Sequence, residues 1–504
     1  MRNLWLGRGA ALAVVAMMVA CSGDDGDGKG DAPGTTPTTP VDSTPGTVTG
    51  LPTADTGTPI TTDTVDTASS GESADTAPTA DTGPLPTLTA TCTLSKDNPM
   101  RAWCDATVDP PQPLEVWFSH DSGGGPERVH TSPDAVADHT IGLYFMRASS
   151  TYDYEVRTVD GRVAATGTVT TDAATGELAV AGAVTGTTSA DNFGLQSPCF
   201  GGSAVIVDPQ GSVVWGHEFP GNAEGVSFTE DETVMALLNG PDRVIEVDLM
   251  GREVLRLELG TDYPNATHHD VYRKDGRTYV LYQTNQQGML LDGFYVFEGN
   301  TRLGSWFLAD HHTPQPQGGP FGADYSHANS IWVDDAGDIY VSFRHLSGVV
   351  KVKGIDDPGF GDVVWRLAGE ASDQRLGSDL VLSSAVTAEV SFERQHNVHR
   401  TSDGQLALFD NRSGFAEPSR LLHLDLDESA GTADIAEVFD LPVHCDFQGG
   451  AWSTAAGNPV ATCAMPGTAY EFEPGVVDPV FTLDVSCQSA GFDSYIPRYV
   501  PLSW

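Results

Sequence analysis

Three observations predict an all-β chain: a small β-sandwich, then a ring of hairpin units, with a disordered tether in front. Residues 185–504 repeat one unit, an apolar strand, a polar turn and a second apolar strand. Residues 87–172 hold short strands of alternating polar and apolar residues between turn residues. Residues 21–86 are mostly Asp, Thr, Gly, Pro, Ser and Ala. That composition cannot bury enough apolar surface to offset its ordering entropy, so this segment reads as an acidic, extended linker.

Residues 1–20 contain Arg2 and Arg8, no acid, and the apolar run Ala10 to Ala20. A charged start, a short apolar centre and small residues before the cut describe a signal peptide. A spanning helix would need roughly 20 apolar residues, more than this run supplies. The string Met18-Val19-Ala20-Cys21 resembles the bacterial lipobox, which makes Cys21 the lipidated first residue of the exported chain. The plainer alternative is a secreted protein with an unmodified Cys21. Ser22 follows where an acid would retain the protein at the inner membrane, so the expected address is the outer membrane, periplasmic or surface-facing.

Setting Cys21 aside from the 7 cysteines leaves Cys92, Cys104, Cys199, Cys445, Cys463 and Cys487. An even count in an oxidising compartment reads as disulfides. No CxxC occurs, so neither a zinc ribbon nor a thioredoxin-like site has support. The formal charge of −43 excludes a general nucleic-acid binder, which needs a basic footprint. It would also repel anionic substrates at long range, so a site for one must carry its own His and Arg cluster.

Within 87–172 the strands read are Leu88–Cys92, Leu114–Phe118, Tyr152–Arg157 and Val163–Val169. Their spacing suggests a fibronectin- or immunoglobulin-like sandwich serving as a spacer, its first hairpin clamped by Cys92 and Cys104. In the repeat, the units start at Gly225-Val-Ser-Phe228, His269-Asp-Val-Tyr272, His327-Ala-Asn-Ser330, His396-Asn-Val-His399 and Gly449-Gly-Ala-Trp452. Turns such as Asp275-Gly276, Ala336-Gly337 and Asp403-Gly404 lead into second strands at 234–238, 278–282, 339–343, 406–409 and 459–463. This spacing fits the blades of a β-propeller. Gly202 to Trp215 reads as the outer half of a sixth blade and Ser494 to Leu502 as its inner half, so joining them closes the ring. Cys199 and Cys487 sit where a disulfide would lock that seam; Cys445 and Cys463 fall within the fifth unit.

Equivalent strand starts converge at one mouth of such a ring. Three of them carry His269 (beside His268), His327 and His396. The antiparallel second strand brings Arg344 beside His327, and Asn329 shares the face of His327. One buried histidine is commonly structural; three at equivalent positions with an Arg and an Asn are costly unless they serve a ligand or each other.

The strings Asp324-Tyr-Ser-His-Ala-Asn-Ser330, Val341-Ser-Phe-Arg344, Val364-Trp-Arg-Leu-Ala-Gly369, Gln395-His396 and Leu408-Phe-Asp-Asn411 resemble bacterial arylsulfate sulfotransferases over roughly 200–480. The resemblance implies a six-bladed propeller that moves a sulfuryl group from an aryl sulfate donor to a phenolic acceptor, with no cofactor and no nucleotide donor. It implies a sulfurylated histidine at His396, with His269 or His268, His327 and Arg344 as catalytic neighbours, and Asn329, His268 and Asn411 on the substrate. Asn397 stands where many relatives have Asp. No GxxxxGK[ST] cradle for a nucleotide phosphate occurs.

That chemistry suits these residues. A neutral imidazole is a nitrogen nucleophile near pH 7. Arg344 and Asn329 would hold sulfate oxygens while His327 and His269 move protons. Two other classes fit parts of the pattern. His268, His269, Asp270, His327 and His396 are possible ligands of a transition metal, against which Arg344 argues. A non-catalytic surface propeller binding envelope partners would keep the histidines as structure.

Overall fold

The computed structural model describes residues 85–503 apart from 121–127, 197, 200, 241, 315–322, 370–375, 383–390, 414–416 and 488–497. The signal peptide, Cys21 and nearly all of the tether lie outside the described residues. What is described is almost entirely antiparallel β-structure, with three short 3₁₀ turns and no α-helix. No helix among the described residues is long and apolar enough to cross a membrane.

The N-terminal strands form two sheets. Thr87–Leu94, Ala102–Asp109 and Asp138–Leu143 make a three-stranded sheet; Arg128–Ser132, Leu114–His120, Thr151–Thr158 and Ala164–Thr170 make a four-stranded one. Alternate residues point inward, and Ala106, Val108, Leu114, Val116, Tyr152 and Val156 meet in one core. Cys92 and Cys104 are directly paired across the first hairpin and disulfide-bonded. Three of these strands escaped the sequence reading. Arg128–Ser132 (RVHTS) shows why: it has no buried residue and so no apolar alternation to detect.

This pair of sheets is docked on the C-terminal strands, which the spacer reading did not anticipate. Arg101, 4% exposed, donates to the carbonyls of Gly216 at 2.9 Å and Met250 at 3.2 Å, and lies over the Trp215 ring. Asn98 joins it on the Gly216 carbonyl at 2.8 Å, and Arg147 pairs with Asp208 at 2.7 Å. Two carbonyls and an indole face together hold the Arg101 guanidinium at this junction.

The remaining strands form six successive sheets. Their innermost strands are Tyr499–Leu502, Asn222–Phe228, Thr267–Lys274, Ala328–Val333, His396–Arg400 and Gly450–Ser453. The repeat starts read from sequence are thus the inner strands, and the second strands follow as expected. Asp275 and Gly276 have φ of 49° and 73°, the backbone of a tight hairpin turn, which Asp and Gly accept at low cost. Each sheet packs on the next through its own apolar cluster, as Ile331 and Val341 do on Leu281 and Phe294. The sixth packs back on the first through Phe481 and Leu483 against Phe193 and Val205. The arrangement is propeller-like.

Closure is shared by both ends of this region. Tyr499–Leu502 pairs with Asn192–Gln196, inside Ser203–Val207 and Val213–Glu218, so the tail is the inner strand of the first sheet. Val180–Gly186, which the repeat frame had not assigned, adds a fifth, outer strand to the sixth sheet by pairing with Phe481–Cys487. The Cys199–Cys487 disulfide (Cα–Cα 5.3 Å) straps these neighbouring sheets together, and Cys445–Cys463 ties the connection before the sixth sheet to its second strand. Because the Cys199–Cys487 bond spans 288 residues, Cys199→Ser with Cys487→Ser should lower unfolding free energy by about 2–5 kcal/mol. Denaturant unfolding measures this; an unchanged midpoint would mean that strand pairing alone holds the join.

Candidate active site

The inner strands share a local distortion at one end. Pairing registers slip between Ala223 and Gly225, Thr267 and Val271, Ala328 and Ser330, and His396 and Val398. Left-handed residues accompany the slips: His269 (φ 57°), His327 (φ 49°), Asn397 (φ 47°) and, before the last inner strand, Gln448 (φ 53°). Such bulges re-aim side chains that would otherwise alternate across the sheet. Neighbouring sheets are then keyed near their inner edges by side-chain acceptors on backbone N–H groups. Gln196 takes Val226 N at 3.0 Å, Asp270 takes Ile331 N at 2.9 Å, Ser330 takes Val398 N at 3.1 Å and Asn397 takes Ala451 N at 2.8 Å.

His269 and His327 meet head to head, Nε2 to Nε2 at 2.8 Å. His269 Nδ1 faces Glu224 at 2.9 Å and His327 Nδ1 faces Asp324 at 2.5 Å. Carboxylates only accept, so both Nδ1 atoms carry hydrogens, and the contact between the Nε2 atoms needs one more. The pair therefore shares three protons and a single positive charge. Burial, followed by the charges of His269, His268, Arg344 and His396, pushes His327 well below its ordinary pKa. Burial opposes ionisation of Glu224, but its hydrogen bond to His269 and that ring's charge outweigh it and hold the carboxyl below its usual range.

His268 stacks on His269 with centroids 4.0 Å apart and turns its Nδ1 to the buried Asp292 at 3.1 Å. Burial resists its charge, yet the Asp292 contact, with Glu224 and Asp324, raises it to about 9. It is a fixed cation behind His269 and is not among the residues lining the cavity that His269 borders.

His396 is 6% exposed. Its Nδ1 meets Asn411 Oδ1 at 2.7 Å, while Asn411 Nδ2 donates to the carbonyls of Cys445 at 2.9 Å and Gln448 at 2.8 Å. Those two carbonyls fix which end of the amide faces the ring. Nδ1 must donate, which leaves the Nε2 lone pair of a neutral imidazole. Burial first, then Arg344, lowers His396 to about 3. Asn411 is fully buried, so the expectation that it contacts substrate is corrected: its polar atoms are committed to the protein, and it orients His396.

Arg344 N donates to His327 O at 3.0 Å, the adjacency expected of the hairpin, and Arg344 Nη1 meets His345 Nε2 at 2.8 Å. His345 Nδ1 in turn donates to Asp324 O at 2.9 Å. Asn329 Nδ2 donates to Gln395 O at 2.7 Å, whereas its buried Oδ1 has no hydrogen-bond partner among the described residues. Asn329 thus presents an acceptor beside the second of its two Nδ2 hydrogens.

His269, Asn329, His396, Asn397, Gln448 and Arg498 line one cavity of about 40 Å³ together with Gln196, Glu224 and Gly449. One water needs roughly 10–15 Å³, so the space suits a small oxyanion group rather than a whole aromatic ring. Sequence reasoning missed Glu224, Asp292, Asp324, His345 and Arg498. Asp324 and His345 adjoin residues already singled out, and Glu224 precedes a repeat start by one position. Arg498 precedes the closing strand and has no counterpart in the repeat.

Among the described residues two clusters could hold a metal, His268 with His269 and His327, and Asp324 with His327 and His345. In both, ring nitrogens already bond carboxylates or one another. Asp270, grouped with the possible ligands by sequence, instead pairs with Arg498 at 2.7 Å and takes Ile331 N.

The sequence of residues 185–433 matches the arylsulfotransferase (ASST) family. This segment is an arylsulfotransferase domain. It holds every histidine of the cluster together with Glu224, Asp324, Asn329, Arg344 and Asn411; Arg498 lies beyond it. No curated protein matches the chain. Among solved structures it is similar to a protein of unknown function from Bacteroides caccae, with a TM-score of 0.42 and 11% identity over 63% of this chain and 100% of that one. A functionally unknown protein from Desulfotomaculum acetoxidans gives 0.38 and 10% over 68% and 93%. The calcium-binding protein regucalcin from Agrobacterium tumefaciens gives 0.30 and 13% over 50% and 70%.

Buried neutral histidines make this arylsulfotransferase domain acid-sensitive. Burial is the first cause in holding His345 at about 2, His396 and His399 at about 3 and His423 at about 4. An unfolded histidine titrates near 6.5, so below that pH the unfolded chain binds more protons than the folded one. The stability these groups contribute is present above 6.5 and lost as pH falls toward their folded values, by up to about 1.4 kcal/mol per group per pH unit. His268 acts oppositely, losing its contribution as pH rises through about 9. Melting temperature should fall steeply from pH 6.5 to 4.5; a flat profile would show these rings already charged in the fold.

Proposed function

We propose that this protein transfers a sulfuryl group from an aryl sulfate to a phenol, without nucleotide, through a covalent intermediate on His396 Nε2. The observation that carries the reading is the His396–Asn411 contact: a buried, neutral imidazole whose free lone pair belongs to a cavity-lining ring beside Arg344.

In the first half-reaction His396 Nε2 bonds to sulfur as the bond from sulfur to the aryl oxygen breaks. The departing phenolate takes a proton from the His269–His327 pair. In the second, an acceptor phenol returns a proton to that pair, its oxygen bonds to sulfur, and Nε2 leaves with its lone pair. The transition state places negative charge on the sulfuryl oxygens, which Arg344 stabilises. The Oδ1 of Asn329 suits the acceptor's hydroxyl hydrogen.

The six closing sheets support a six-bladed propeller, and the strand order of the N-terminal sheets supports a fibronectin-like sandwich. The lipobox-like Met18-Val19-Ala20-Cys21 supports anchoring by lipid to the cell envelope, probed by labelling with a fatty-acid analogue and by Cys21→Ser. The function is tested with a chromogenic aryl sulfate in single turnover and mass spectrometry. An adduct of about 80 Da on His396, discharged by added phenol, is expected. Turnover without an adduct would mean direct transfer, and no turnover of any aryl sulfate would sink the reading.

A further inference from the structure

Arg498 immediately precedes the strand that closes the ring, and the arylsulfotransferase match ends long before it. Arg498 lines the cavity shared by His269, Asn329 and His396. Nη1 lies 2.7 Å from Asp270 Oδ1 and donates to Val226 O at 3.1 Å, while the side chain is 12% exposed. Asp270 is itself fixed by Ile331 N at 2.9 Å.

A buried ion pair adds little to stability compared with apolar packing, and here it borders a cavity sized for a small oxyanion. The chain's charge of −43 makes a local cation necessary for any anion that enters. Arg344 comes from the fourth sheet and spends part of its fork on His345. Arg498 comes from the first sheet and lines the cavity that His396 borders, while Arg344 acts on His396 through its charge.

We propose that Arg498 is a second oxyanion-binding residue, taking an oxygen of the sulfuryl group, with Asp270 as the residue that positions it. The inference takes its substrate from the sulfuryl-transfer reading, but its anion can be measured apart from turnover. A consequence is that the binding site is complete only when the tail strand has docked.

The test measures binding of inorganic sulfate by calorimetry, and KM and kcat for an aryl sulfate, in Arg498→Met, Arg498→Lys and Asp270→Asn. Arg498→Met should weaken sulfate binding by roughly tenfold or more and raise KM for the donor, with Arg498→Lys recovering part of both. Asp270→Asn should weaken sulfate less than Arg498→Met does. Sulfate affinity within twofold of the parent in Arg498→Met overturns the inference and leaves the transfer reading untouched. If the parent turns over no aryl sulfate but Arg498→Met still loses sulfate, the transfer reading fails and the anion site stands. If Arg498→Met does not fold, Arg498→Lys decides, and parental sulfate affinity and KM in that variant overturn the proposal.

Discussion

His396→Ala should abolish both half-reactions, lowering turnover by at least roughly 10⁴-fold, because it removes the atom proposed to bond to sulfur. Alanine leaves Asn411 Oδ1 facing an empty space, but Asn411 Nδ2 keeps its bonds to Cys445 O and Gln448 O, so the fold should persist. The measurement is release of phenol from a chromogenic donor, with and without acceptor, beside circular dichroism of the variant. Loss of the acceptor-dependent step alone would move the nucleophile elsewhere. His327 is the next candidate, yet it already shares its Nε2 with His269 at 2.8 Å. Free imidazole offers a further check, since it fits the space vacated and should restore part of the donor half-reaction.

Arg344→Ala should slow transfer by roughly 10² to 10⁴, the range for losing one charge-stabilising group. The loss should fall mainly on kcat, because charge on the sulfuryl oxygens and leaving phenolate grows toward the transition state. Arg344→Lys should recover only part, since an ammonium cannot hold two oxygens while also meeting His345. The same variants carry a second signature. Arg344 is the second cause, after burial, of the depressed His396 value, so removing its charge should let that ring protonate at higher pH. The acid limb of the donor half-reaction should shift upward in Arg344→Ala and stay near its parental position in Arg344→Lys. Full rate in Arg344→Ala would remove this residue from the chemistry.

Much of this was legible in the sequence because hairpin chemistry is local. Asp275-Gly276 marks a turn whatever lies around it, and the apolar strands beside such turns set the frame that brought His269, His327 and His396 together. Cys199 with Cys487 was readable for a similar reason, since both border halves of a blade that lacked partners. What stayed hidden depends on partners far along the chain. Glu224 follows Ala223 and precedes glycine, and nothing nearby hints that it will meet a histidine 45 residues later. Arg101 looks like any surface cation until Gly216, Met250 and Trp215 close around it. Asn411 was found but given the wrong task, because a sequence shows that an amide is near a histidine and not which of its ends faces the ring.

The left-handed backbone at His269 and His327 has an evolutionary cost. A side chain held at φ of 57° or 49° gives up roughly 1–2 kcal/mol that glycine would not. Selection for heat resistance alone would drift these positions toward glycine or asparagine, and each step would look like an improvement to an assay that scores only folding. On the proposed chemistry, the imidazoles persist against that drift only where turnover is also selected. A lineage that had abandoned the chemistry would reveal itself at these two positions first, while Asp270, Ser330 and Asn397, which hold neighbouring strands together, would remain.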